Sequence, residues 1–196
     1  MLKIKFDFKS FFKKGVKNIN STSQISLITG YMGSGKTYYA IKKLEDMKSA
    51  QHIKTNIKSY KSLKHNVEYF TSMSEIYNDH DLDTIYVIDE LSKLYVKDSK
   101  IDRPFYSWLQ QSRKHNRQVY LITQEYLQVP QWLRGVANSV YSTHRVFNNI
   151  CCTSYGVPSL DKDTMEWGLL ESSVYFYKRN KTIASMYDTL ELINTL

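Results

Sequence analysis

Apolar residues in this chain fall into two kinds of run. Short continuous ones sit in "TIYVIDE" and "QVYLITQ", while "SQISLITG", "HIKTNI" and "SVYSTHRVF" read as further short strands. Continuous runs of this length mark strands covered on both faces, as in a parallel sheet. Between them the period changes. Ala40, Ile41, Leu44 and Met47 recur at helical spacing, with Lys42, Lys43, Glu45 and Lys48 on the other side. "RPFYSWLQQSRKHN" places Phe105, Trp108 and Leu109 on one face behind Pro104, a first-turn residue, and predicts a second amphipathic helix. "SLKHNVEYF" reads as a strand or connector, "SMSEIYNDHDLD" as a polar helix or turn, and "PQWLRGVANSV" as a short helix. Strands alternating with helices predict an α/β fold: a mostly parallel sheet flanked by helices.

The two ends follow other patterns. Leu2, Ile4, Phe6 and Phe8 alternate with polar residues, and the first 17 residues hold six Lys against one Asp. Residues 1–20 are therefore expected to be an edge strand or a basic arm able to touch a membrane or nucleic acid. Residues 21–147 carry the core pattern. Residues 148–196 are expected to form an extension packed on it, in which "SSVYFYKRNKTIASMYD" predicts a strand, a turn at Arg179 to Lys181, and a second strand.

Composition narrows the class. With 42% hydrophobic and 23% charged residues over 196 positions, the chain can bury a core. Adjacent Cys151 and Cys152 offer neither a disulfide framework nor zinc spacing. No apolar run is long enough to span a bilayer, and no signal-peptide core is present. The balance of 27 Lys+Arg against 19 Asp+Glu, a net charge of +8, favours a polyanionic partner.

The candidate chemistry starts where the first strand ends. "GYMGSGKT" fits G-x-x-x-x-G-K-[ST] at every fixed position, between a strand and an amphipathic helix. Glycines let backbone N–H groups turn onto phosphates, Lys36 reaches the β and γ phosphates, and the Thr37 hydroxyl suits Mg²⁺. Gly30, Met32, Gly33, Ser34, Gly35, Lys36, Thr37 and Tyr38 are the candidate nucleotide contacts. Asp89 and Glu90 close "TIYVIDE" as a Walker B pair would, Asp89 for the metal and Glu90 to orient and polarise a water as general base. An acid pair at a strand end can also simply cap the next element. "VYLITQ" delivers Gln124, a γ-phosphate sensor if its strand lies between the other two, or an amide that satisfies the turn. Five of the six arginines, Arg103, Arg113, Arg117, Arg134 and Arg145, lie between the acidic strand and the fifth strand, and one could reach a neighbouring subunit's site as a finger. Each could equally be solvated surface charge. The guanine-reading N-K-x-D is absent, and a small-molecule kinase needs no hydrolytic glutamate beside its metal aspartate.

Together "GYMGSGKT", "IYVIDE" and "VYLITQ" resemble the FtsK-HerA superfamily of DNA-translocating ATPases. "TNI" and "QQSRKHNRQVYLITQ" are similar to two viral branches, the genome-packaging ATPases of membrane-containing viruses and the zonula occludens toxin-like assembly ATPases of filamentous phages. The resemblance implies a RecA-like core, ATP and Mg²⁺ as cofactors, and a homo-oligomeric ring, commonly a hexamer, driving double-stranded or single-stranded DNA through its pore. It carries over to Lys36 and Thr37, Asp89 and Glu90, and Gln124, and less directly to Arg134, Arg145 or Arg113 as the finger. The toxin-like branch usually continues into a transmembrane helix, so the expectation leans to a packaging ATPase in the cytoplasm of an infected host cell or on the virion, with a capsid or membrane component as partner. The rivals are phage extrusion, a small-molecule phosphotransferase, and a structural subunit that binds ATP without turnover.

Overall fold

The protein's structure, a computed structural model, describes residues 24–147 and 149–187, with the side chain of Ser172 left out. The N-terminal alternation at Leu2 to Phe8 lies outside the described residues. In chain order the elements are β1 (Ile25–Thr29), α1 (Lys36–Glu45), β2 (His52–Thr55), β3 (Asn66–Tyr69), α2 (Met73–Tyr77), β4 (Thr84–Ile88), α3 (Arg103–Gln111), β5 (Gln118–Ile122), α4 (Gln131–Arg134), β6 (Ser139–Phe147), β7 (Ile150–Leu160), β8 (Trp167–Lys178) and α5 (Lys181–Ala184).

One eight-stranded sheet runs β3-β2-β4-β5-β1-β6-β7-β8. Its first six strands are parallel, with β1 bonded to β5 on one side and β6 on the other. The last pairings, β6 with β7 and β7 with β8, are antiparallel. The sheet thus continues without a break past residue 147.

The pleat divides the apolar runs between two cores. Ile25 and Leu27 of β1, Tyr86 and Ile88 of β4, and Val119 and Leu121 of β5 pack with Phe105, Trp108 and Leu109 of α3 and Leu133 of α4. Ile28, Ile85, Val87, Tyr120 and Ile122 point the other way, onto Tyr38, Ala40, Ile41 and Leu44 of α1 and Ile183 of α5. Continuous apolar strands are therefore what two helical layers require. α3 starts as its sequence implies. The Asp102 carboxylate accepts the Phe105 N–H (3.1 Å) behind Pro104.

The tail departs from expectation. After β8 the chain forms α5 instead of a second strand, because the Asn180 side chain accepts the Thr182 N–H (2.8 Å) and caps a helix turn that buries Ile183 against α1. β7 carries no continuous apolar run, and it forms because β6 and β8 supply ladders on both its edges.

Candidate functional site

The loop leaving β1 needs its glycines. Gly30, Gly33 and Gly35 have φ of 144°, 75° and 94°. At Gly30 space is also decisive, since a Cβ would stand 2.4 Å from the Thr143 carbonyl oxygen and 2.5 Å from Ser34 Oγ. The base of the loop is tied to both neighbouring strands. The Gly30 N–H donates to the Gln124 carbonyl after β5 (2.8 Å), and Ser34 Oγ bonds Thr143 Oγ1 on β6 (2.9 Å), whose hydroxyl also reaches the Thr29 carbonyl (3.1 Å). Lys36 stands at the start of α1 and folds back, its amine donating to the carbonyls of Gly30 (2.8 Å) and Tyr31 (3.1 Å). Burial pulls its pKa down from the ordinary lysine value, opposed by the charges of Asp89 and Glu90.

β4 delivers the acids to this loop. The Thr37 hydroxyl donates to Asp89 Oδ2 at 2.7 Å, and the Glu90 N–H donates to Asp89 Oδ1 at 2.7 Å. Asp89 is buried, and desolvation pushes its carboxyl above the usual range against the pull of those hydrogen bonds. A buried carboxylate beside a hydroxyl is a hard-oxygen donor set, the kind Mg²⁺ prefers. Glu90 adopts a left-handed backbone, φ 57° and ψ 42°, uncommon for a residue with a Cβ, and its carboxylate is ion-paired with Lys93.

The acids have a support that motif spacing does not disclose. The Asn56 side chain, one residue beyond β2, makes a two-point clamp on the backbone of Asp89. It accepts the Asp89 N–H (2.8 Å) and donates to the Asp89 carbonyl (2.9 Å). Asn56 is the middle of "TNI", and its signal was an amide at the end of a strand beside the acidic strand. Thr143, a buried hydroxyl on β6, likewise had no motif to announce it.

β5 lies between β4 and β1, so Gln124 emerges beside the loop, with its side chain exposed and its carbonyl fixing Gly30. Arg145 is exposed near the end of β6, at the loop's end of the sheet. Arg134 is at the opposite end. It is buried, its Nη1 donates to the Trp167 carbonyl (2.6 Å), and its guanidinium lies 5.6 Å from the Tyr126 ring, so it holds β8 and is not displayed to a neighbour. Arg117 is also interior, donating to the carbonyls of Asp79 and Asp81, while Arg103 and Arg113 are exposed. Met32 projects from the loop tip at 85% exposure. Tyr38 is wholly buried, and its hydroxyl accepts the Asn180 N–H (2.7 Å), which leaves a nucleotide only its backbone.

A glycine loop between a strand and a helix, a lysine at the helix start, and a hydroxyl bonded to a strand-end aspartate two strands away define a P-loop NTPase of RecA-like architecture. Sequence comparison goes one step further. The profile of the zonular occludens toxin (Zot) family matches residues 24–189, and the chain belongs to that family. Comparison with individually curated proteins finds no match. Among solved structures, the N-terminal domain of zonular occludens toxin from Neisseria meningitidis is similar over 86% of this chain and 100% of that one, with 20% identity and a TM-score of 0.62. The genome packaging NTPase B204 from Sulfolobus turreted icosahedral virus 2, solved with ATP-gammaS, is similar over 76% of this chain and 96% of that one, with 13% identity and a TM-score of 0.51. The RadB recombinase is similar over 82% and 89%, with 12% identity and a TM-score of 0.52. At these identities the likeness is one of fold. Both viral branches anticipated from the motifs are represented, and the family match falls on the toxin-like one. No helix among the described residues is long and apolar enough to cross a membrane.

Proposed function

We propose that the protein is an ATP-hydrolysing DNA translocase that moves a viral genome. The observation that carries this reading is the 2.7 Å contact between Thr37 and Asp89 with Glu90 next in line, because it joins a phosphate loop to a carboxylate suited to water activation. Loop N–H groups and Lys36 hold the β and γ phosphates. Thr37 and Asp89 would hold Mg²⁺, which neutralises charge between those phosphates when bound. Glu90 takes a proton from water as the water oxygen attacks the γ phosphorus; the bond to the β-phosphate oxygen breaks, leaving ADP and phosphate. Gln124 senses the γ phosphate, and its carbonyl bond to Gly30 ties that sensing to the loop. Arg145, exposed at the same end of the sheet, is the candidate to complete a neighbour's site in a homo-oligomeric ring.

The net charge of +8 supports a nucleic-acid backbone as the moving partner, gripped without regard to sequence. Family membership supports genome extrusion during filamentous-phage assembly, at a membrane partner of the infected cell, over filling a capsid. The test is ATP hydrolysis by the purified chain with and without double-stranded or single-stranded DNA, alongside its oligomeric mass. DNA-stimulated turnover lost in Glu90→Gln is expected. Turnover of a nucleoside or metabolite phosphate acceptor with no DNA effect would overturn the reading. Flotation with liposomes, comparing the full chain with one lacking residues 1–17, separates extrusion from packaging.

A further inference from the structure

The second wall of the loop comes from the far end of the chain. β8 ends at Lys178, and the next two residues lie against the start of α1. The Arg179 N–H donates to the Asn149 carbonyl (2.8 Å), the Asn180 N–H donates to the Tyr38 hydroxyl (2.7 Å), and the Arg179 guanidinium stands 5.1 Å from the centre of the Tyr38 ring. Tyr38 follows Thr37 directly. Its ring is stacked on Tyr177 at 6.1 Å, so Arg179 rests on a fixed platform. On the adjoining strand, Cys151 Sγ comes within 3.9 Å of the Cβ position of Gly35. Burial pushes the Cys151 thiol pKa up, and the charges of Arg179 and Arg145 pull against it. Arg179 Nε is buried with no hydrogen-bond partner. The Arg179 side chain also hydrogen-bonds Tyr187, so the open position is at Nε, and a buried donor without an acceptor points to a missing one.

Sheet order gives that acceptor its identity. Asp89 and Glu90 approach the loop from the β4 side, where the γ phosphate belongs. A phosphate chain lying along the loop therefore has its other end on the β6 to β8 side, where Arg179 sits. We propose that Arg179 is a nucleotide-binding residue, donating from the same subunit to the α phosphate of ATP or ADP. The assignment rests on the ATPase reading and adds a residue that no phosphate-loop motif contains. Its contact is present before, during and after bond cleavage, so it stabilises ground and transition states alike.

The experiment compares ATP and ADP affinities by titration calorimetry, and steady-state ATPase rates, in the wild-type chain, Arg179→Met and Arg179→Lys. Met keeps an apolar stem on the Tyr38 ring, and Lys keeps the charge and the stack. Expected is a loss of about tenfold or more in affinity for both nucleotides in the Met variant, a smaller loss in the Lys variant, and KM raised with kcat within twofold. Melting temperatures in the absence of nucleotide report the packing; with the Lys variant melting like wild type, its weakened ADP binding isolates the contact. Wild-type affinity for ADP in either variant, or a fall in kcat with KM unchanged, overturns the assignment and leaves the ATPase reading standing. A wild-type chain that binds neither nucleotide overturns both.

Discussion

The phosphate loop has two flanks of opposite character. On the β4 side stand carboxylates: Asp89, bonded to Thr37 and clamped by Asn56, and Glu90, held in a left-handed backbone. On the β6 to β8 side stand cations and rings: Arg145, Arg179, Tyr38 and Tyr177, with Thr143 fixing the loop floor. The first flank is the one that would change during the proposed reaction, by taking a proton from water. The second is fitted to stay the same, since its groups are permanently charged or buried. On the proposed function, one loop would divide chemistry from grip, the parallel half of the sheet supplying the former and the antiparallel half much of the latter.

Substitutions should separate the flanks. The largest effect is expected for Glu90→Gln, which should lower ATP turnover by about 100-fold or more while leaving ADP affinity within twofold, measured by phosphate release and calorimetry. Next is Asn56→Ala. It strips two partners from the Asp89 backbone, and should cost about 1–3 kcal/mol in denaturant unfolding and lower kcat by about tenfold with nucleotide affinity little changed. If ADP affinity falls as far as kcat does, Asn56 supports the whole loop and not the acidic flank alone.

Effects on the gripping flank should be milder. Tyr38→Phe leaves the Asn180 N–H without its acceptor and should destabilise by about 1 kcal/mol, with kcat unaffected. The smallest and most conditional effect concerns Lys43 on α1. Its amine stands 4.2 Å from the centre of the Tyr141 ring and 5.8 Å from those of Tyr39 and Tyr120. Burial lowers its pKa to about 8, partly opposed by Asp46, and the ring faces also favour the charged form. The sign follows from proton counts. From about pH 8 upward the folded chain gives up this proton while the unfolded chain, with an ordinary lysine pKa, keeps it, so stability should rise with pH towards 10. Above that, the buried tyrosines whose pKa values are raised oppose the trend, because the unfolded state ionises first. Melting curves of the wild-type chain and Lys43→Met between pH 8 and 10 should differ in slope, with the Met variant the flatter.

The acidic flank was far more legible in the sequence than the gripping one, and the reason is physical. Lys36, Thr37, Asp89 and Glu90 sit in elements defined by local pattern: a glycine loop before an amphipathic helix, and a continuous apolar strand that ends in acids. Local patterns also disclosed β1, β4, β5, α1 and α3. β7 and β8 are half-exposed strands of Tyr, Ser and Thr whose formation depends on the neighbour each pairs with, so the sequence outlines only the last part of β8, through "SSVYFYK", and not β7. The residues of α5 read as a strand in sequence because β-branched and aromatic neighbours outweigh the cap at Asn180. Arg179 carries no local signal at all. Its place beside Tyr38 is made by a bond between residues 142 positions apart.

That separation sets an order of events in the cell. Thr143, which fixes the loop floor, and Asn180, which fastens the far wall, follow Ser34 and Tyr38 by 109 and 142 residues. At a synthesis rate of about 5–20 residues per second, the glycine loop waits on the order of ten seconds for its walls. Until its last part the emerging chain has the lysine and hydroxyl that attract nucleotide, but lacks β6, one of the two partner strands of β1, and the basic flank. ATP binding is consequently a late event in biogenesis, and a ribosome-bound fragment ending before residue 139 should hold its nucleotide motif exposed to proteases and unable to bind.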